Sequence, residues 1–143
     1  MSASIKDSGT VTGGCLCGAV RYEIAGELRG IVNCHCSKCR RFHGSIGAYT
    51  SIKFENLTLV EQQSLKWFKS ELDETPNVHR GFCSECGSSL FWHPRGQKYI
   101  AVAAGSLDET IGLEVIGHVW TSQISGYYKI LDDLPQFPRG WES

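Results

Sequence analysis

Cys34, Cys36 and Cys39 fall within N-C-H-C-S-K-C-R-R-F-H-G, residues 33–44, beside His35, His43, Lys38, Arg40 and Arg41. A C-x-C-x-x-C spacing suits three thiolates around one ion better than it suits a disulfide. Three sulfurs fill three corners of a tetrahedron and leave the fourth open, the arrangement of a reactive metal site rather than a closed one.

Other readings of the same residues stay open. His35 or His43 could close the site as a fourth ligand, although His35 should point away from its cysteine neighbours if the segment is extended. Cys36 and Cys39 have the spacing of a redox pair, but the added Cys34 favours metal. Lys38, Arg40 and Arg41 could lower the thiol pKa values and steer an anionic thiol substrate, or could form a solvated basic edge. Arg80 has the same two readings.

The other four cysteines form two pairs, Cys15/Cys17 in G-G-C-L-C-G and Cys83/Cys86 in F-C-S-E-C-G. C-x-x-C followed by glycine is the usual half of a structural zinc site. In an extended segment Cys15 and Cys17 would point the same way, so the two pairs could meet as one closed four-sulfur site. Such a site would pin the start of the chain to its later part.

The elements that must hold these cysteines read as short strands. Residues 19–24 alternate, with Val20, Tyr22 and Ile24 on one face. Residues 31–33, 46–52, 56–61, 65–68, 90–93, 99–105 and 113–120 are further strands, and residues 37–42 form about one helical turn. Residues 70–76, S-E-L-D-E-T-P, are expected as an exposed acidic loop. Ser106 and Asp108 suggest a turn with a side-chain cap, and His118 a satisfied core histidine. Residues 1–12 are expected to be a flexible N-terminus, 13–137 a single zinc-binding domain and 138–143 a C-terminal tail.

Fourteen Lys and Arg oppose fifteen Asp and Glu, a formal net charge of −1 that gives no overall attraction to nucleic acid or to an anionic membrane. No apolar run approaches the ~20 residues of a membrane-spanning helix. The N-terminus has no apolar core of a secretory signal, which points to the cytoplasm, where cysteines serve as metal ligands rather than cystines.

Together the segments 13–22, 34–41, 80–91, 104–108 and 118–120 resemble the glutathione-dependent formaldehyde-activating enzyme family, whose zinc fold is shared with Rab-interacting chaperones and centromere protein V. The resemblance implies a mainly β fold of coiled antiparallel β-sheets in a complex sandwich around zinc knuckles. It implies two zinc ions: a structural one on Cys15, Cys17, Cys83 and Cys86, and a catalytic one on Cys34, Cys36 and Cys39 that takes the sulfur of glutathione. The implied activity is that of a carbon–sulfur lyase, joining glutathione and formaldehyde reversibly to S-hydroxymethylglutathione, with Arg40, Arg41 and His43 as substrate-binding candidates. Where relatives carry a proline-tryptophan pair, this chain has S-G-Y-Y at 125–128. A non-catalytic zinc module that binds a partner, or a thiol or aldehyde sensor, is the alternative.

Overall fold

The computed structural model describes residues 9–110 and 112–141 and is mainly β. Strands β1 (Thr10–Gly14), β2 (Arg21–Ala25) and β5 (Leu57–Glu61) form a three-stranded antiparallel sheet in the order β1-β2-β5. A seven-stranded sheet contains β3 (Ile31–Cys34), β4 (Gly47–Lys53), β6 (Leu65–Ser70), β7 (Val78–Cys83), β8 (Ser89–Pro94), β9 (Tyr99–Ala103) and β10 (Val115–Val119), in the order β10-β3-β4-β9-β8-β7-β6. The mainly β fold of antiparallel sheets is as expected, with β10 and β3 the one parallel pair of strands among the described residues. A short helix, α1 (Ser37–His43), follows β3. No helix among the described residues is long and apolar enough to cross a membrane.

The period of two decides what each face of the large sheet does. On β9, Ile100 and Val102 face the small sheet and join Tyr22, Ile24, Leu28, Leu90 and Phe91 in the main core. The intervening Ala101 and Ala103 belong to a second cluster on the opposite face, with Cys36, Cys39 and Tyr49. Arg80 pairs with Trp92, Trp92 with Ala101 and Ala101 with Ser51, so these four form one row across that second face. The small side chain at Ala101 leaves space above the row.

Two sequence expectations about the ends of the domain are corrected. The loose N-terminus expected through residue 12 is strand from Thr10 onward; residues 1–8 lie outside the described residues. The expected tail at 138–143 is docked over residues 138–141: Trp120 N–H donates to Arg139 O at 2.8 Å, and a Cβ on Gly117 would overlap the Trp141 ring. Pro135 O and Phe137 N–H bond the backbone of His118, so this segment runs beside β10 and is bridged to it at Gln136. Its prolines break the periodic pattern but leave enough donors and acceptors for pairing.

Candidate metal centres and their cleft

The Cys15/Cys17 pair comes from the turn joining β1 to β2, and Cys83/Cys86 from the turn after β7. All four sulfurs lie within 4.8 Å of one another. The first pair converges through a turn closed by Cys15 N–H to Val20 O and Gly18 N–H to Cys15 O, not through the extended backbone expected. Gly18 sits at φ +85°, where a side chain would be strained. The Cys15–Cys17 and Cys17–Cys83 sulfur distances are 3.7 and 3.8 Å. They match the ~3.8 Å edge of a tetrahedron built with 2.3 Å metal–sulfur bonds, and are far from the ~2.05 Å of a disulfide. Amide N–H groups of Val20 and Glu85 point at Cys15 and Cys83, at 3.2 and 3.4 Å, and the bond from Val20 favours the thiolate form of Cys15. This cluster could hold a metal ion and would clasp the two sheets together.

Cys34, Cys36 and Cys39 form the second cluster, again with sulfurs within 4.8 Å. Cys34 ends β3. Cys36 is the N-cap of α1, its sulfur accepting from Cys39 N–H at 3.2 Å. Cys39 is buried one turn later, and Gly44 ends the helix in the left-handed conformation. Gly47 lets the helix approach β4, since a Cβ there would meet Cys39 Cβ at 3.0 Å and His43 at 2.9 Å.

Among the described residues no histidine or carboxylate joins this triplet. His35 turns to the other side of β3, where its Nδ1 meets Tyr128 OH at 2.8 Å and its Nε2 meets His118 Nδ1 at 2.9 Å. His118 Nε2 contacts both oxygens of Asp132 at 3.1 Å, so His118 is the satisfied core histidine expected. His43 bonds Tyr49 OH. Burial pushes the His43 pKa down to about 4, with Arg80 adding to the shift.

The three thiols polarise one another. Hydrogen bonds from Cys34 and Cys39, then the Cys39 N–H and Lys38, bring Cys36 down to about 2 against the cost of burial. Cys34 is pushed far up because its protonated form donates to Cys36 and Cys39, and because it is buried. The Cys34 bond lowers Cys39, but the Cys36 thiolate and burial outweigh it and leave Cys39 at about 11. Without a metal the negative charge is favoured on Cys36; a bound dication would favour the thiolate form of all three.

The triplet opens on a cleft of about 300 Å³ on the second face of the large sheet. That volume lies at the small end of the range for small-molecule sites. Trp92, Trp120 and Trp141 wall it, and Arg29, Lys38 and Arg80 supply cations. Trp120 holds φ +56°, a left-handed conformation that costs a bulky residue roughly 1–2 kcal/mol. Lys38 Nζ and the Arg139 guanidinium lie 5.9 and 5.3 Å from its ring centre.

The cations expected to meet substrate are not the ones that line this cleft. Arg40, Arg41 and His43 do not line it, because the turn of α1 that carries Lys38 and Cys39 inward carries Arg41 out to solvent. His43 lines a separate groove on the far side of the helix. Arg80 resolves away from a solvated edge: it is 3% exposed, with a nitrogen 4.0 Å from Cys39 Sγ. Burial opposes its charge, but Cys39, Tyr49 and Asp73 outweigh that and hold its pKa up. The acidic loop is correspondingly not all exposed. Asp73 is buried against Arg80 and accepts from Trp92 Nε1 at 3.4 Å. Ser106 caps Ala103 O as expected, while Asp108 bridges to Arg21.

Arg29, Asp73, Trp120 and Trp141 reach the cleft without a local sequence signal. The one hint is Arg29 itself, a charged residue just before the apolar start of β3.

Comparison with known proteins agrees with this geometry. The profile of the family described as "Glutathione-dependent formaldehyde-activating enzyme" matches residues 10–123. A curated protein of Halomonas elongata, named "Putative glutathione-dependent formaldehyde-activating enzyme", is 32% identical over 106 residues, 69% of this chain and 66% of that protein's length. The crystal structure of a Rhodobacter sphaeroides protein superposes with a TM-score of 0.55 at 26% identity, covering 68% of this chain and 87% of that one. With both cysteine clusters inside the matched fold, the chain belongs to the glutathione-dependent formaldehyde-activating enzyme family.

Proposed function

We propose that the protein is a zinc-dependent carbon–sulfur lyase and synthase that joins glutathione and formaldehyde reversibly to S-hydroxymethylglutathione. The observation that carries this reading is the three-sulfur cluster at the floor of a small cleft, with no fourth protein ligand among the described residues. An all-sulfur donor set with a tetrahedral spacing fits zinc, held structurally by Cys15, Cys17, Cys83 and Cys86 and for chemistry by Cys34, Cys36 and Cys39. Zinc bound to the triplet would keep a substrate thiol deprotonated and nucleophilic at neutral pH.

The remaining work falls to the chain. Arg80, fixed by Asp73, holds Cys39 in place and offsets the negative charge of three thiolates. Lys38 adds positive charge beside the triplet, which favours an anionic thiol substrate. The three tryptophans exclude water from the reacting sulfur and carbonyl. In the forward direction the substrate sulfur bonds to the carbonyl carbon, and the carbonyl oxygen gains a proton equivalent to the one the thiol gave up. No oxidation occurs.

The test follows adduct formation by NMR with glutathione and formaldehyde. The zinc-loaded protein accelerates approach to equilibrium and Cys36→Ser does not. Equal rates for the two contradict the reading.

A further inference from the structure

Charges drawn partly out of water are normally paired, and an unpaired one needs a reason. Arg80 is matched by Asp73, and Glu74 by Arg139. Arg29 is different. It lines the cleft, yet its Nε donates only to Gly30 O at 3.1 Å and one terminal nitrogen only to Tyr49 O at 3.1 Å. Among the described residues no carboxylate forms an ion pair with it. Burial lowers its pKa, with only Tyr99 opposing.

The two carbonyls fix the plane of the guanidinium and leave other N–H donors unused. The surrounding backbone is fixed as well, through Arg29 N–H to Ser51 O and Thr50 Oγ1 to Arg29 O. Tyr49 stands opposite Val32, two residues from Cys34 along β3. The Tyr49 carbonyl that holds Arg29 therefore lies roughly 7 Å along β3 from the level of Cys34. A planar guanidinium held in this way matches a carboxylate through two parallel bonds.

We infer that Arg29 is the carboxylate anchor of the cleft, so that the site selects thiols bearing a carboxylate a few bonds from the sulfur over small neutral thiols. The inference rests on the proposed thiol site and adds its specificity. Lys38 stands at the sulfur end beside Trp120, and Arg80 is already neutralised. Arg29 is left as the half-buried cation with capacity for a substrate anion.

The test uses calorimetric binding to the metal-loaded protein of four probes: glutathione, its diethyl ester, S-methylglutathione and the diethyl ester of S-methylglutathione. Wild type is expected to prefer each free acid over its ester by at least about tenfold, and Arg29→Met to bring both ratios to within about twofold while ester affinities stay unchanged. Arg29→Lys, which keeps the charge without the fork, should retain part of the preference, and matching metal content and circular dichroism confirm that the variants fold. Equal binding of acid and ester to wild type, or an undiminished ratio in Arg29→Met, overturns the anchor. The thiol reading is judged separately: glutathione binding no tighter than S-methylglutathione contradicts it, while the acid-to-ester ratios still decide on Arg29.

Discussion

Arg80 donates to both carboxylate oxygens of Asp73, at 3.0 and 3.3 Å, while another of its nitrogens lies 4.0 Å from the sulfur of Cys39. An acidic loop, the strand before one cysteine pair and the helix bearing the other cluster are thereby joined at one guanidinium. The pair is buried, with side-chain exposures of 4% and 8%. Removing one partner strands the other as an uncompensated charge. Asp73→Asn is expected to cost about 3 kcal/mol in urea unfolding. The double change Asp73→Leu with Arg80→Met should cost less than Asp73→Asn alone, because no charge is then left buried. A double variant less stable than the single one would contradict this.

The four-sulfur cluster is expected to carry a larger share of stability than the triplet. It links the β1–β2 turn to the end of β7, across two sheets, and Cys83 is fully buried in the core. Cys83→Ser should lower Tm by at least about 15 °C, given roughly 3 °C per kcal/mol for a domain of this size. Cys34→Ser, at the half-buried edge of the triplet, should lower it by less than half as much. Thermal unfolding of the two variants compares them directly.

Acid should destabilise the fold before its carboxylates titrate. Burial lowers the pKa values of His35, His43 and His93, so the folded state favours the neutral ring. The unfolded chain then binds more protons below its ordinary value near ~6.5, and stability falls as pH drops through that value. For His43, pushed down to about 4, the loss continues to that pH. Between pH 7 and pH 5 it amounts to about 2 kcal/mol. Urea unfolding of metal-saturated protein should show this slope, and His43→Phe should flatten it by that amount. An unchanged slope in His43→Phe would place the acid sensitivity elsewhere.

Trp120 offers a clean separation of backbone from side chain. Both Trp120→Ala and Trp120→Gly remove the wall of the cleft, but only glycine accepts φ +56° without strain. The glycine variant should therefore be the more stable of the two by about 1 kcal/mol in denaturant unfolding. Both should bind glutathione more weakly than wild type. A less stable glycine variant would mean the left-handed backbone carries no cost here.

Much of this was legible in the sequence because the signals are local. Val20, Tyr22 and Ile24 alternate as strand residues must, and the cysteine spacings specify which sulfurs turn inward. The same alternation removes His35 from the triplet. Long-range closure was not legible. Asp73 sits in a polar, proline-ended segment, and only the β6–β7 hairpin brings it under Arg80. Trp141 looks like tail because the segment before it docks on β10 through backbone groups of Pro135 and Phe137. Arg40 and Arg41 do not line the cleft although they follow Cys39 directly in sequence, because residues one and two apart on a helix face different ways, so Cys39 turns inward and Arg41 to solvent.

The triplet is expected to keep one position for an outside thiol. X-ray absorption at the zinc edge, on protein carrying two ions, measures it directly. Averaged over a four-sulfur and a three-sulfur site, the expected sulfur coordination is about 3.5 per zinc, rising to about 4 when glutathione is added. A value of about 4 before any thiol is added, or no change on adding glutathione, would contradict it.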